Sequence, residues 1–120
     1  MKTKSQLNKV CPVRSVLDGI GSKWSILILD VLDEKGTLRF SEIGKALGDI
    51  SQKMLTSTLR LLEADGIVSR KAYAEIPPRV EYELTELGHD LLPIIRSLIN
   101  WAHDNFETIQ KRRIAFESNL

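Results

Sequence analysis

The sequence predicts an α+β domain, mostly helical, in which a helix-turn-helix leads into a β-hairpin and then into one long C-terminal helix. Three observations carry that expectation. Residues 51–65 repeat apolar positions with the period of an amphipathic helix, at about 100° per residue. Just before them, Gly48-Asp49-Ile50 is a three-residue turn following a short helical pattern, and this spacing is the helix-turn-helix signature. After Gly66 the period falls to two: Val80-Glu81-Tyr82-Glu83-Leu84 alternates apolar and acidic residues as a half-buried antiparallel strand does.

Taken in order, residues 1–10 are polar, carry three lysines and form a flexible segment, although Leu7 and Val10 could pack. A short helix follows Cys11, because Pro12 suits the first helical position and Val13, Val16, Leu17 and Ile20 make an apolar stripe that ends at Gly21. Ser22 caps the next helix, which buries Trp24, Leu27, Ile28, Val31 and Leu32 before Gly36 breaks it. Residues 37–40 read as a brief strand, and Ser41 as the cap of a helix over 42–47.

Ser51 caps the long amphipathic helix and Gly66 closes it. Met54, Leu55, Thr58, Leu59, Leu61 and Leu62 fall on its inner side. Strands over 67–73 and 80–84 flank a proline-rich connection, residues 74–79, that presents Arg79 near its tip. A helix-turn-helix followed by such a hairpin is a winged helix.

Thr85 caps the last helix, expected to run to about residue 109 with a bend at Pro93, where the ring displaces a backbone hydrogen bond; residues 111–120 follow as a C-terminal tail. Its apolar residues cover about half the circumference, more than the roughly 100° stripe one core contact needs. A second copy is the simplest cover, since closed two-fold dimers are the commonest soluble assembly. Leu91, Ile95, Leu98, Ile99, Ala102 and Phe106 are the candidate dimerisation residues.

With 120 residues and 42% hydrophobic content, the chain is one domain with enough apolar material for a core. The formal net charge of +1 carries no bulk basic signal, so any nucleic-acid affinity has to come from a local arrangement of charge. No apolar run approaches the ~20 residues of a membrane span, and the N-terminus lacks a hydrophobic signal core, so no membrane partner and a cytoplasmic location are expected. One cysteine rules out an intramolecular disulfide, and two histidines fourteen positions apart have no ligand-like spacing, so no metal site and no cofactor are expected. There is no Gly-rich phosphate loop and no catalytic pairing of His with a carboxylate, so the chain reads as a non-enzyme.

The outer face of the helix capped by Ser51 carries amides, hydroxyls and two cations: Gln52, Lys53, Thr56, Ser57 and Arg60. Such side chains hydrogen-bond base edges and phosphates in a DNA major groove. Gln52 and Lys53, then Thr56 and Ser57 one turn later, are the candidates for base edges or nearby phosphates. Arg60 and Arg79 are the candidates for phosphates or the minor groove. A protein-interaction module would show aromatic or large apolar anchors on that face, and none is present. A third reading is a regulator with a small-molecule pocket at the dimer interface, near Trp24, Trp101 and the last helix, although core packing accounts for the same residues.

Several runs together resemble the HxlR-type branch of winged-helix transcriptional regulators, relatives of the MarR group: Cys11-Pro12-Val13, Gly21 to Trp24, Arg39 to Ile43, Ile50 to Thr56, Leu62 to Val68 and Pro77 to Thr85. The resemblance covers residues 11 to about 102. It implies a homodimeric, sequence-specific regulator over residues 11–110, with the helix from Ser51 in the major groove of double-stranded DNA and the wing on the flanking backbone or minor groove. Such a dimer prefers an inverted repeat with half-sites about one helical turn apart, or a multiple of it. Several family members with a cysteine at the position of Cys11 act as thiol-redox or electrophile sensors, so the resemblance makes Cys11 the redox-sensing candidate. Its place at a helix start beside Arg14 favours thiolate, whereas a lone cysteine is also a common small buried residue.

Overall fold

The computed structural model describes residues 11–120; the N-terminal segment 1–10 expected to be flexible, with Leu7 and Val10, lies outside the described residues. Five helices and three strands follow in the order α1 (Pro12–Ile20), α2 (Lys23–Lys35), β1 (Leu38–Arg39), α3 (Phe40–Leu47), α4 (Gln52–Ala64), β2 (Val68–Tyr73), β3 (Arg79–Leu84) and α5 (Glu86–Ser118). The strands form one antiparallel sheet in the order β1-β3-β2, so the hairpin is widened by the short strand that precedes α3.

Three of the expected caps are formed by hydroxyl oxygens that accept a backbone N–H the helix itself cannot satisfy. Ser22 accepts from Ser25, Ser51 from Met54 and Thr85 from Gly88, each at 3.1 Å. Ser41 does not cap. Helix α3 begins two residues earlier, at Phe40, because Glu42 reaches back to accept the Arg39 N–H at 2.8 Å, which makes Arg39 the cap residue and places Ser41 inside the first turn. At the other end of α4, Asp65 is the C-cap and Gly66 follows at φ +74°. The Gly66 N–H donates to the Glu63 carbonyl and the Ile67 N–H to that of Leu62, a Schellman closure that turns the chain into β2.

One core unites these elements. Ile28, Leu29 and Leu32 of α2, Ile43 of α3 and Leu55, Leu59 and Leu62 of α4 are buried against Val68, Tyr82 and Ile95. Burying each large aliphatic side chain is worth about 1.5–3 kcal/mol, so α4 is held to the body by its inner face alone. That face is narrower than the sequence pattern implies. Met54 and Leu61 lie on its flanks and are exposed, and on α2 Leu27 is exposed while Leu29, adjacent to Ile28, is buried. Ser25 is fully buried because its hydroxyl donates to the Gly19 carbonyl at 2.6 Å, tying α2 to α1.

Helix α5 docks on α2 through an ion-pair cluster. The Arg96 guanidinium contacts Asp30 and also donates to Asp33 at 2.6 and 3.0 Å, and these bonds, that to Asp33 foremost, raise its pKa. The helix passes through Pro93 and continues to Ser118, so the expected tail is helical almost to its end: the exposed residues 111–118 extend the same rod. The proposed dimerisation residues divide. Ile95 is 5% exposed and, with Leu91 and Ile99, packs on the chain's own core, so it is not available to a partner; Leu98, Ala102 and Phe106 are exposed. The apolar stripe of α1 is likewise open, with Val13, Val16 and Leu17 all exposed.

Candidate nucleic-acid interface

The core residues of α4 fix what its other side presents. With Leu55, Thr58, Leu59 and Leu62 turned inward, Gln52, Lys53, Thr56, Ser57 and Arg60 line one open concavity together with Leu61 and Ala64. The structure therefore brings together five of the candidates read from the sequence. Ser51, also exposed, stands at the positive end of the helix dipole, next to the Gln52 and Lys53 amides, which have no acceptor within the helix.

Hydrogen bonding assigns directions to the hydroxyls. Ser51 Oγ accepts from Met54, which leaves its own proton free for an oxygen acceptor such as a phosphate. Ser57 Oγ donates to the Met54 carbonyl at 3.1 Å, as Thr58 Oγ1 does at 2.7 Å. Ser57 thus presents lone pairs outward, suited to an amino group of cytosine or adenine rather than to a phosphate. Among the described residues, Lys53 and Arg60 have no carboxylate within ion-pair distance, so their charge faces outward uncompensated.

Arg70 belongs to the same surface and sequence reasoning passed over it. It lines a recess between α4 and the hairpin together with Thr56, Arg60, Glu63, Phe40 and Tyr82. The signal was present in the alternation: Arg70 lies two residues beyond the buried Val68, on the same strand face, and pairs with Tyr82.

Arg79 adjoins the tip of the wing without forming part of it. It opens β3 directly opposite Tyr73, and the tip is made by residues 74–78, where the Ile76–Pro77 peptide is cis and Ile76 is fully exposed. The Arg79 guanidinium lies 4.0 Å from the centre of the Tyr73 ring, 3.0 Å from Glu75 Oε1 and 3.8 Å from Glu81 Oε2. Two carboxylates and an aromatic face already occupy it, so a phosphate contact would require it to leave them. Lys71, exposed on the neighbouring strand, also lies over the Tyr73 ring, 5.2 Å from its centre, but among the described residues it has no carboxylate within ion-pair distance.

Cys11 is exposed and occupies the N-cap position of α1, where its carbonyl accepts the Ser15 N–H at 2.9 Å and its side chain makes no capping bond. It is not a core packing residue. No group of three or more metal-ligating side chains occurs among the described residues, and no described helix is long and apolar enough to cross a membrane.

Comparison with known proteins agrees with this architecture. The family model of the HxlR-like helix-turn-helix matches residues 19–110. An HTH-type transcriptional regulator of Methanothermobacter thermautotrophicus is 48% identical over 92 residues, 77% of this chain and 70% of the relative. Among solved structures, the putative transcriptional regulator ytfH from Salmonella typhimurium superposes with a TM-score of 0.80 at 39% identity, covering 88% of this chain and 93% of that one. The redox regulator HypR in its oxidized form superposes with a TM-score of 0.73 at 45% identity, over 79% of this chain and 97% of that one. This chain belongs to the HxlR-like helix-turn-helix family of DNA-binding transcriptional regulators.

Proposed function

We propose that the protein is a homodimer that binds an inverted repeat in double-stranded DNA, each copy of α4 entering one major groove. The observation that supports this most is the outward face of α4: an unneutralised Lys53 and Arg60, an amide and oriented hydroxyls, held against the core by Leu55, Leu59 and Leu62. Gln52, Lys53, Thr56 and Ser57 read bases or their nearest phosphates; Ser51, Arg60 and Arg70 hold the backbone. Two-fold symmetry makes the half-sites inverted copies, and both grooves are reached from one side of the duplex when they lie about one helical turn, or a multiple of it, apart. Sedimentation of the protein with a selected duplex tests the assembly: two chains per duplex support it, and one chain sinks it.

A second reading concerns the signal. Cys11 is an exposed thiol at a helix start, and the chain is similar to the redox regulator HypR. On this reading a peroxide oxidises the thiolate to a sulfenic acid, which condenses with a small thiol or with the partner subunit's Cys11, releasing water and changing DNA affinity. Mass spectrometry after mild oxidant, beside DNA binding by wild type and Cys11→Ser, decides it: wild type gains an adduct and loses or gains affinity while Cys11→Ser does neither. An unmodified Cys11, or an adduct without a change in affinity, ends this reading.

A further inference from the structure

Helix α5 carries Leu98, Ala102 and Phe106, the exposed candidates for contact with a second copy, so the way α5 sits on the winged-helix body decides where α4 stands relative to its twin. Apolar contact alone sets that placement poorly. Gly88, Leu92, Ile95 and Ile99 form one docked strip along α5, and a helix resting on a single strip can roll about it, because apolar burial is not directional. Helix α2 packs on both α4 and α5, and two helix spacings of about 8–10 Å each put α4 up to roughly 20 Å from the α5 axis. A roll of about 10° then moves α4 by about 3 Å, as much as the length of a hydrogen bond to a base edge.

Polar ties resist the roll. Among the described residues, two groups supply them for α5. At its start the Thr85 hydroxyl lies 2.5 and 3.0 Å from the Gly66 and Ile67 carbonyl oxygens. About 16 Å further on, at about 1.5 Å per residue, all three guanidinium nitrogens of Arg96 engage α2: Nε and Nη2 donate to Asp33, Nη1 to Asp30, and Nη2 also lies 3.5 Å from the Asp30 carbonyl oxygen. Pro93 stands between the two ties and lacks the N–H that would bond one turn back, so α5 is braced from outside where it is weakest within. Around the helix, Arg96 lies about 70° to one side of the docked strip and Leu98 about 90° to the other. The cluster therefore acts on the flank, where it opposes roll, and away from the candidate partner contact. Arg96, Asp30 and Asp33 have side chains 36%, 29% and 32% exposed, too open to add much to stability. A planar fork set on two carboxylates one turn apart supplies direction instead.

We propose that Arg96, held by Asp30 and Asp33, is a positioning residue: it fixes the roll of α5 on the body and so preorganises the two copies of α4 at the separation that one operator requires. This rests on the dimer reading above and names the residues that set its geometry. The cluster touches no DNA, so its effect is confined to binding that engages both copies of α4 at once.

Two readouts test it. Ala46→Cys, exposed on α3, carries a spin label in a Cys11→Ser chain, and pulsed electron resonance reads the distance between the labels of the two copies. Anisotropy reads affinity for the duplex selected by wild type and for the same duplex with one half-site scrambled. Arg96→Met keeps the long apolar stem and removes the fork. It is expected to remain a dimer in sedimentation, to broaden or shift the inter-label distance, and to lose about threefold per subunit, hence about tenfold, on the full duplex while keeping wild-type affinity for the scrambled one. Arg96→Lys, a point charge in place of the fork, should fall between the two. If Arg96→Met does not fold, Asp33→Asn carries the test, with the same pattern at smaller size. An unchanged inter-label distance overturns the proposal, and so do equal losses on both duplexes, which mark a merely structural role. A labelled chain with the native Arg96 that shows no inter-label distance and sediments as a monomer overturns the dimer reading, and the proposal with it.

Discussion

Arg60→Gln isolates one electrostatic contact of the proposed interface. Arg60 is exposed, is bound to no carboxylate among the described residues and points to the outer side of α4, so its replacement should leave folding stability within about 0.5 kcal/mol of wild type. On DNA the consequence is larger, because a dimer loses the contact twice. Each neutralised phosphate contributes about 0.9 to the slope of log affinity against log salt, so the variant's slope should be shallower by about 1.8. Across a fourfold rise in salt, from roughly 50 to 200 mM, that difference amounts to about tenfold in affinity. The gap between wild type and variant is therefore expected to narrow about tenfold over that interval, measured by fluorescence anisotropy on one duplex. Parallel lines for the two proteins would refute a phosphate contact at Arg60, whatever the loss at a single salt concentration.

Two further predictions concern how the interface is held. Leu59 is 1% exposed beneath the centre of α4, so Leu59→Ala should cost about 2–5 kcal/mol in urea unfolding; a loss below 1 kcal/mol would mean that α4 is not anchored as described. At Gly88 a methyl group would overlap the Ile67 carbonyl oxygen, which already accepts both the Thr85 N–H at 3.1 Å and the Thr85 hydroxyl at 3.0 Å. Gly88→Ala is thus expected to destabilise by about 1–3 kcal/mol although alanine is the better helix former, and an unchanged or raised denaturation midpoint would contradict that packing.

Local signals in the sequence were legible where a side chain acts on its own turn. Ser22, Ser51 and Thr85 cap as read, and the Gly66 turn and the two hairpin strands stand where the change of period puts them. Ser41 does not cap because a competing local interaction, the Glu42 carboxylate on the Arg39 amide, moves the helix start two residues back. Periodicity overstates burial at the edges of a face, hence Met54, Leu61 and Leu27. It also cannot assign a helix with two apolar sides, hence Ile95 in the core rather than at a partner. The Arg96 cluster joins residues 63 and 66 positions apart, and no local pattern announces it. For the DNA surface, the α4 face was readable because the core fixes it, whereas Arg79 depended on strand register: one opposite Tyr73, it is drawn to that ring and to Glu75 and Glu81.

Base sequence is proposed to be read by the first turns of α4. Selection of bound duplexes from a random DNA pool, performed side by side with wild type and Gln52→Ala, tests it most directly. Wild type should enrich an inverted repeat, and Gln52→Ala should relax preference at one symmetric pair of positions while keeping the others, since one good base contact is worth about 1–3 kcal/mol of discrimination. Identical enriched sequences for the two proteins, or no enrichment by wild type, would contradict the account.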